Sequence, residues 1–228
     1  MRANPYLALI VLLAPPAVRA QDAYKVEPLK EAAPSSLAAP LRGLFEASGY
    51  RVLSPEGKPF VDLWLRKGVP ASARPTGPKG TILFPVLSEG ELLGAFRFHA
   101  EGRDYRDQTI APGVYTLRYG LQPENGDHLG TSPYRDFALL IAAAKDKMPA
   151  SIPKKALEER SAEAAGTSHP AVFMLRQGPD KPPAAPEMVH DDTLDTWGAV
   201  VPLPLQVKGT AGAISLPIQV VVVGSKTA

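Results

Sequence analysis

The chain has 228 residues, 25 Lys+Arg against 23 Asp+Glu, and no cysteine. Those figures exclude a disulfide-stapled scaffold and a cysteine-linked lipid anchor, and the near-neutral balance gives no electrostatic reason to expect nucleic acid as a partner. The 25 prolines, about twice the ordinary share of about 5 %, interrupt apolar runs without forming a low-complexity tract, which points to short strands joined by turns.

Met1-Arg2 is followed by a short apolar run from Tyr6 to Leu13, and Val18-Arg19-Ala20 is a cleavage site of the A-x-A kind. This pattern predicts a signal peptide over 1–20, with Gln21 as the new N-terminus. The apolar run falls short of the roughly 20 residues that a membrane-spanning helix needs. Arg2 and Arg19 leave with the signal and no acid does, so the mature chain is formally neutral. The protein is expected to be exported, periplasmic or extracellular, with no membrane anchor after cleavage. Residues 21–40 are Ala/Pro-rich and are expected as a flexible N-terminal arm, leaving 41–228 as a single domain.

From there the elements follow in order. Leu41 to Ser48, with Gly49 as its C-cap, predicts a short helix that plugs one end of the fold. Tyr50–Leu53 and Phe60–Lys67 flank a turn-rich S-P-E-G-K-P and predict a hairpin. In its second strand Val61, Leu63 and Leu65 share one face, and Phe60, Asp62, Trp64 and Arg66 the other. Thr81–Leu87 is interrupted by Pro85 and reads as an edge or bulged strand. Glu91–His99 alternates, with Leu92, Phe96 and Phe98 opposite Arg97 and His99.

The best strand pattern follows the turn Ala111-Pro112-Gly113: Tyr115, Leu117, Tyr119 and Leu121 on one face, Thr116 and Arg118 on the other. Gln122–Tyr134 is a loop. Asp136–Ala142 is a strand expected to turn Phe137, Leu139 and Ile141 inward. Ser151–Ala165, closed by Gly166, predicts a helix with a weak apolar face and hence mostly exposed. Ala171–Arg176 is a short strand, and Pro179–Pro186 a connector. Trp197–Lys208 carries Pro202 and Pro204 on one parity, which predicts an edge position. Ile214 to Val222 makes the last strand. Nine or ten strands and two short peripheral helices predict a mainly β fold, an antiparallel β-sandwich.

Candidate chemistry is sparse. Aromatic rings at Trp64, Tyr119 and Trp197 are candidate binding platforms, because ring faces stack on sugars or cations. Asp127, His128, His190 and Asp191 are candidate metal ligands, since imidazole and carboxylate in loops suit a divalent ion, although no H-x-H or H-x-x-x-H spacing occurs. No G-x-S-x-G, P-loop or dinucleotide fingerprint is present. The expectation is an exported, non-catalytic protein without a cofactor that binds a protein or glycan partner. The alternative is a metal-binding protein or metal-dependent hydrolase using those His and Asp residues.

The block I-A-P-G-V-Y-T-L-R-Y-G-L-Q-P-E-N-G-D-H-L-G, followed by R-D-F-A-L-L-I, together with the upstream V-D-L-W-L-R-K, resembles uncharacterised exported bacterial β-sandwich proteins with a P-G-x-Y-x-L hairpin. That resemblance implies export and a β-rich fold and carries no site residues.

Overall fold

The structure is a computed structural model that describes residues 23–124, 132–181 and 183–224. The expected signal peptide and the candidate ligands Asp127 and His128 lie outside the described residues. Thirteen strands and two helices are present among the described residues: β1 (Lys25–Leu29), α1 (Ala39–Arg42), β2 (Gly49–Leu53), β3 (Pro59–Leu65), β4 (Val69–Ala71), β5 (Leu92–Phe98), β6 (Gly102–Arg103), β7 (Thr109–Ile110), β8 (Gly113–Leu121), β9 (Asp136–Ala142), α2 (Lys154–Ala165), β10 (Val172–Gln177), β11 (Glu187–Asp191), β12 (Thr196–Val207) and β13 (Ile214–Val223). Among these residues no helix is long and apolar enough to cross a membrane.

The strands form one hydrogen-bonded path, β1-β2-β3-β5-β8-β9-β10-β13-β12-β11, with β4 attached to the flank of β12 and β6–β7 as a separate pair. Pairing is antiparallel except for β4 against β12, which is parallel. The two ends of the path, β1 and β11, lie against each other. Tyr24, just before β1, touches Trp197 of β12 at a centroid distance of 5.9 Å. The fold is therefore mainly β and mostly antiparallel, as expected, but it is a large curled sheet and not a clear sandwich.

Curling puts one face inside. Val61, Leu63 and Leu65 of β3, Phe96 and Phe98 of β5, and Tyr115, Leu117 and Tyr119 of β8 all join the main core there. β9 does the opposite of what its pattern predicts. Ala138 and Leu140 point into the main core, whereas Phe137, Leu139 and Ile141 point outward beneath α2. Both faces of β9 are buried, so alternation locates two faces without saying which is inner, and the larger set packs under the helix.

The outer face has two covers. Residues 29–45, including α1, lay Leu29, Leu37, Leu41 and Phe45 over Trp64, Leu92 and Ala95. α2 and the turn at Tyr105 cover Phe137, Leu139, Ile141, Met174 and Val221. The region expected as a flexible arm thus contains β1, paired with β2 from Lys25↔Leu53 to Leu29↔Gly49. Its Pro28 sits on a strand with only one partner, where a missing N–H costs no ladder bond. The expected helix over 41–48 is only the single turn α1, and it packs on the outer face instead of plugging an end.

The plug is the segment 81–90, which makes turns and not the expected strand. Asp136 explains this. Its buried carboxylate accepts Leu83 N–H at 2.7 Å and Phe84 N–H at 3.1 Å, so those amides have no need of a neighbouring strand. Leu83, Phe84, Val86 and Leu87 then enter the main core. Pro202 and Pro204 also find a specific place. One flank of β12 pairs with β13 throughout Trp197–Leu205, while the other pairs with β11 up to Val200 and with β4 from Leu205. Both prolines fall in the gap between β11 and β4, so the expected edge is a local break on one flank of an otherwise doubly paired strand.

Candidate functional site

α2 begins after Pro153, without a side-chain cap, and ends at Gly166 with φ 65. Gly166 N–H donates to the Glu163 carbonyl and Thr167 N–H to the Ala162 carbonyl, both at 3.2 Å. A left-handed glycine is the usual way to close a helix like this. The buried side of α2 holds Leu157 and Ser161. Ser161 Oγ donates to the Ala171 carbonyl at 3.1 Å and accepts Ala171 N–H at 3.0 Å, which fastens the helix to the start of β10.

Beside this seam lies a cleft of about 810 Å³. Phe137 and Leu139 of β9 and Val172 of β10 supply apolar lining. Glu158, Glu159, Ala162 and Glu163 line it from α2, Leu121 from the end of β8, and Tyr105, Arg106, Gln122 and Pro123 from the loops. The loop side is preorganised by Asp104. Its fully buried carboxylate accepts Arg106 N–H at 2.9 Å, Gln108 N–H and Gln108 Nε2–H at 2.8 Å each, and Val172 N–H at 2.9 Å. Burial raises its pKa, and those donors only partly offset the rise. Gln108 Nε2 also donates to the Pro170 carbonyl at 2.9 Å, and Gln108 Oε1 accepts the Thr167 hydroxyl. Gln108 therefore ties the turn at 104–108 to the 167–170 segment at the end of α2.

The electrostatics of the cleft are one-sided. Three glutamates line it against a single arginine, Arg106, and His169. Glu159 reaches Lys155 at 4.0 Å and Glu163 reaches Lys145 at 3.7 Å, exposed pairs of little energetic weight. Glu158 is half-buried and, among the described residues, has no ion-pair partner. The C-terminal end of α2 adds the negative end of a helix dipole to the same wall.

The other cover is closed by charge. Asp62, fully buried, accepts from Arg51 Nε at 2.8 Å and Nη2 at 3.1 Å, from Arg97 Nε at 2.9 Å and Nη2 at 2.5 Å, and is 2.7 Å from His99 Nε2. Burial alone would raise its pKa, but the bonds from Arg51, His99 and Arg97 outweigh this and hold it below the usual carboxylate range. Glu31 sits on top, 2.8 Å from Arg97 and 3.6 Å from Arg51. Below α2 a second buried pair, Arg118–Asp146, is satisfied throughout. Arg118 Nε and Nη2 meet the carboxylate at 2.7 and 2.9 Å. Its remaining N–H groups go to the carbonyls of Gly90 (2.7 Å), Ala150 (2.9 Å) and Met148. Gly90 has φ 84, and a Cβ there would lie 1.9 Å from the Ile152 carbonyl oxygen, so only glycine fits this junction.

Two of the expected aromatic platforms lack an accessible ring face. Trp64 is 0 % exposed; its Nε1–H donates to the Glu31 carbonyl at 2.8 Å, and the Arg97 guanidinium lies 5.1 Å from its ring. The 29–45 cover explains its burial. Tyr119 is also 0 % exposed and donates to Asp136 at 2.5 Å. Burial first, then the neighbouring Asp136 charge, pushes its phenol pKa far up. Trp197 is half-buried, with His190 stacked on it at 4.3 Å and 18°.

Near Trp197, His190 and Asp191 have different partners. His190 turns Nδ1 to Asp192 at 2.9 Å and Nε2 to Asp195 at 3.0 Å. Asp191 instead pairs with Arg176 at 2.6 Å and accepts the N–H groups of Thr193 and Leu194. The Arg176 bond holds its pKa below the usual range. Among the described residues no group of three or more His, Cys, Asp and Glu is arranged to hold a metal ion.

The sequence reading missed the cleft. Its only local trace is the weak apolar face of α2 with Glu158, Glu159 and Glu163 clustered on it. Comparisons with protein-family models, with curated proteins and with solved structures found no match for this chain.

Proposed function

We propose that this protein is an exported, non-catalytic binding protein, and that the cleft beside α2 receives a segment of a partner protein. The observation that carries this is the preformed cleft of about 810 Å³, with an apolar lining and a carboxylate wall. Its size falls within the roughly 300–1,000 Å³ typical of ligand pockets, and such pockets combine apolar lining with a few placed polar groups. A glycan partner has less support, because Trp64 and Tyr119 offer no open ring face. Export rests on the N-terminal pattern of charge, apolar run and small-residue site. In the same reading β1, β2, β3, β5, β8 and β9 on one side, and β11, β12, β13 and β4 on the other, act as two layers of a distorted sandwich, with β10 turning the corner.

The test places a photo-crosslinking residue at Ala162, inside the cleft, or at Lys58, in the exposed β2–β3 turn. In the producing cells, position 162 should yield one defined protein adduct that position 58 does not. Identical adducts from both positions, or none from 162, would overturn the reading.

A further inference from the structure

We infer that the segment received by the cleft is cationic on an apolar body: a lysine or arginine flanked by apolar residues, with its charge against Glu158. This rests on the cleft being the binding site and adds the chemistry of the occupant.

Three observations converge. First, the lining is negative overall, with three glutamates on α2 and one arginine, Arg106. Only Glu163 stands in the last turn of α2, where the carbonyl end of the helix adds to the attraction for a cation. Second, the carboxylates differ in what they already hold. Asp62, Asp104, Asp136 and Asp146 are fully buried, and each accepts several internal donors. Glu159 and Glu163 share exposed lysines. Glu158 is half-buried and has no ion-pair partner among the described residues, so an arriving cation displaces nothing there. Third, Glu158 lines the same cleft as the apolar side chains Phe137, Leu139 and Val172. Charges attract more strongly beside low-dielectric surface than in open water, and the methylene stem of a lysine or arginine buries well on such a surface. Arg106, which lines the same cleft, suits a backbone carbonyl of the same segment.

The probes are three blocked pentapeptides, Ac-Leu-Val-X-Val-Leu-NH2, with X lysine, norleucine or glutamate, titrated calorimetrically into the full mature protein. The lysine peptide should bind at least about tenfold more tightly than the norleucine peptide, which corresponds to about 1.4 kcal/mol. Glu158→Gln should remove most of that preference. Glu158→Lys should reverse it in favour of the glutamate peptide. Ala162→Trp, which puts an indole into the cleft beside Glu158, should abolish binding of all three. Thermal unfolding of each variant separates lost binding from lost fold, and Glu158→Gln, the mildest change, keeps the test decisive if a bulkier variant fails to fold. If the three peptides bind equally and Ala162→Trp still abolishes binding, the cationic assignment is wrong and the cleft stands. If the lysine peptide does not bind, the cationic assignment also fails. Binding unaffected by Ala162→Trp overturns both.

Discussion

The two covers on the outer face of the sheet solve the same problem in opposite ways. Under residues 29–45 a tryptophan and an aspartate are sealed, and four charges there meet opposites inside the molecule: Asp62 with Arg51 and Arg97, Glu31 with the same two arginines. Under α2 the seal is partial. Leu157 and Ser161 are buried, but Glu158, Glu159, Ala162 and Glu163 line a cleft together with Phe137 and Leu139. A satisfied charge network stabilises and has little left to offer a ligand. A carboxylate without an internal counter-charge, set beside apolar surface, retains that capacity. On the binding role proposed for the cleft, the contrast between the two covers separates structure from function.

The largest effect is expected where charge is fully enclosed. Asp146→Ala leaves Arg118 buried without its counter-ion and should lower stability by about 3–5 kcal/mol in urea unfolding. A loss below about 1 kcal/mol would show that the pair is not sealed. Next is Asp62→Asn, which weakens the charge-assisted bonds from Arg51 and Arg97 and should cost about 1.5–3 kcal/mol at neutral pH. The pH dependence has a definite sign. The folded-state pKa of Asp62 is depressed, so its contribution is present above the unfolded value near 3.9 and is lost as pH falls through the lower folded value. The stabilities of wild type and Asp62→Asn should therefore converge in acid. Curves that remain parallel below about pH 3 would contradict the sealed-network account of this cover.

Gln219 offers a smaller and opposite effect. Its Nε2 is buried without a hydrogen-bond partner among the described residues, so Gln219→Met should raise stability by about 1 kcal/mol by removing an unmet donor. A destabilised variant would mean that the amide is satisfied in solution. The smallest stability change is expected in the cleft itself. Ala162→Trp occupies open space on α2 and should shift unfolding by no more than about 0.5 kcal/mol. A large loss would mean that the helix closes on the sheet in solution.

The same contrast explains what could be read from the residues. β8 was legible because Tyr115, Leu117 and Tyr119 alternate with polar neighbours and really do enter the core. Arg118 was not: an arginine on the outward parity looks solvated, and its burial depends on Asp146, 28 positions away, with no local sign of the pairing. Trp64 misled for a related reason. Asp62 and Arg66 beside it suggest an open face, but the cover comes from an Ala/Pro-rich stretch that reads as a linker. β1 and β11 escaped notice because a five-residue strand at the end of a sheet path needs no strong alternation when only one flank is paired. The cleft combines α2, β9, β10 and the Asp104 turn, so no single window of sequence contains it. Only the exposure of α2 was anticipated, and the cleft lies along one part of that exposed surface.

Hydrogen exchange, measured on the protein with and without the lysine-centred peptide, tests the difference between the two covers most directly. The account predicts slowed exchange over Asp136–Ala142 and Lys154–Ala165, with no change over Lys25–Leu29 or Pro59–Leu65. Slowing confined to the N-terminal cover, or spread evenly over both, would contradict it.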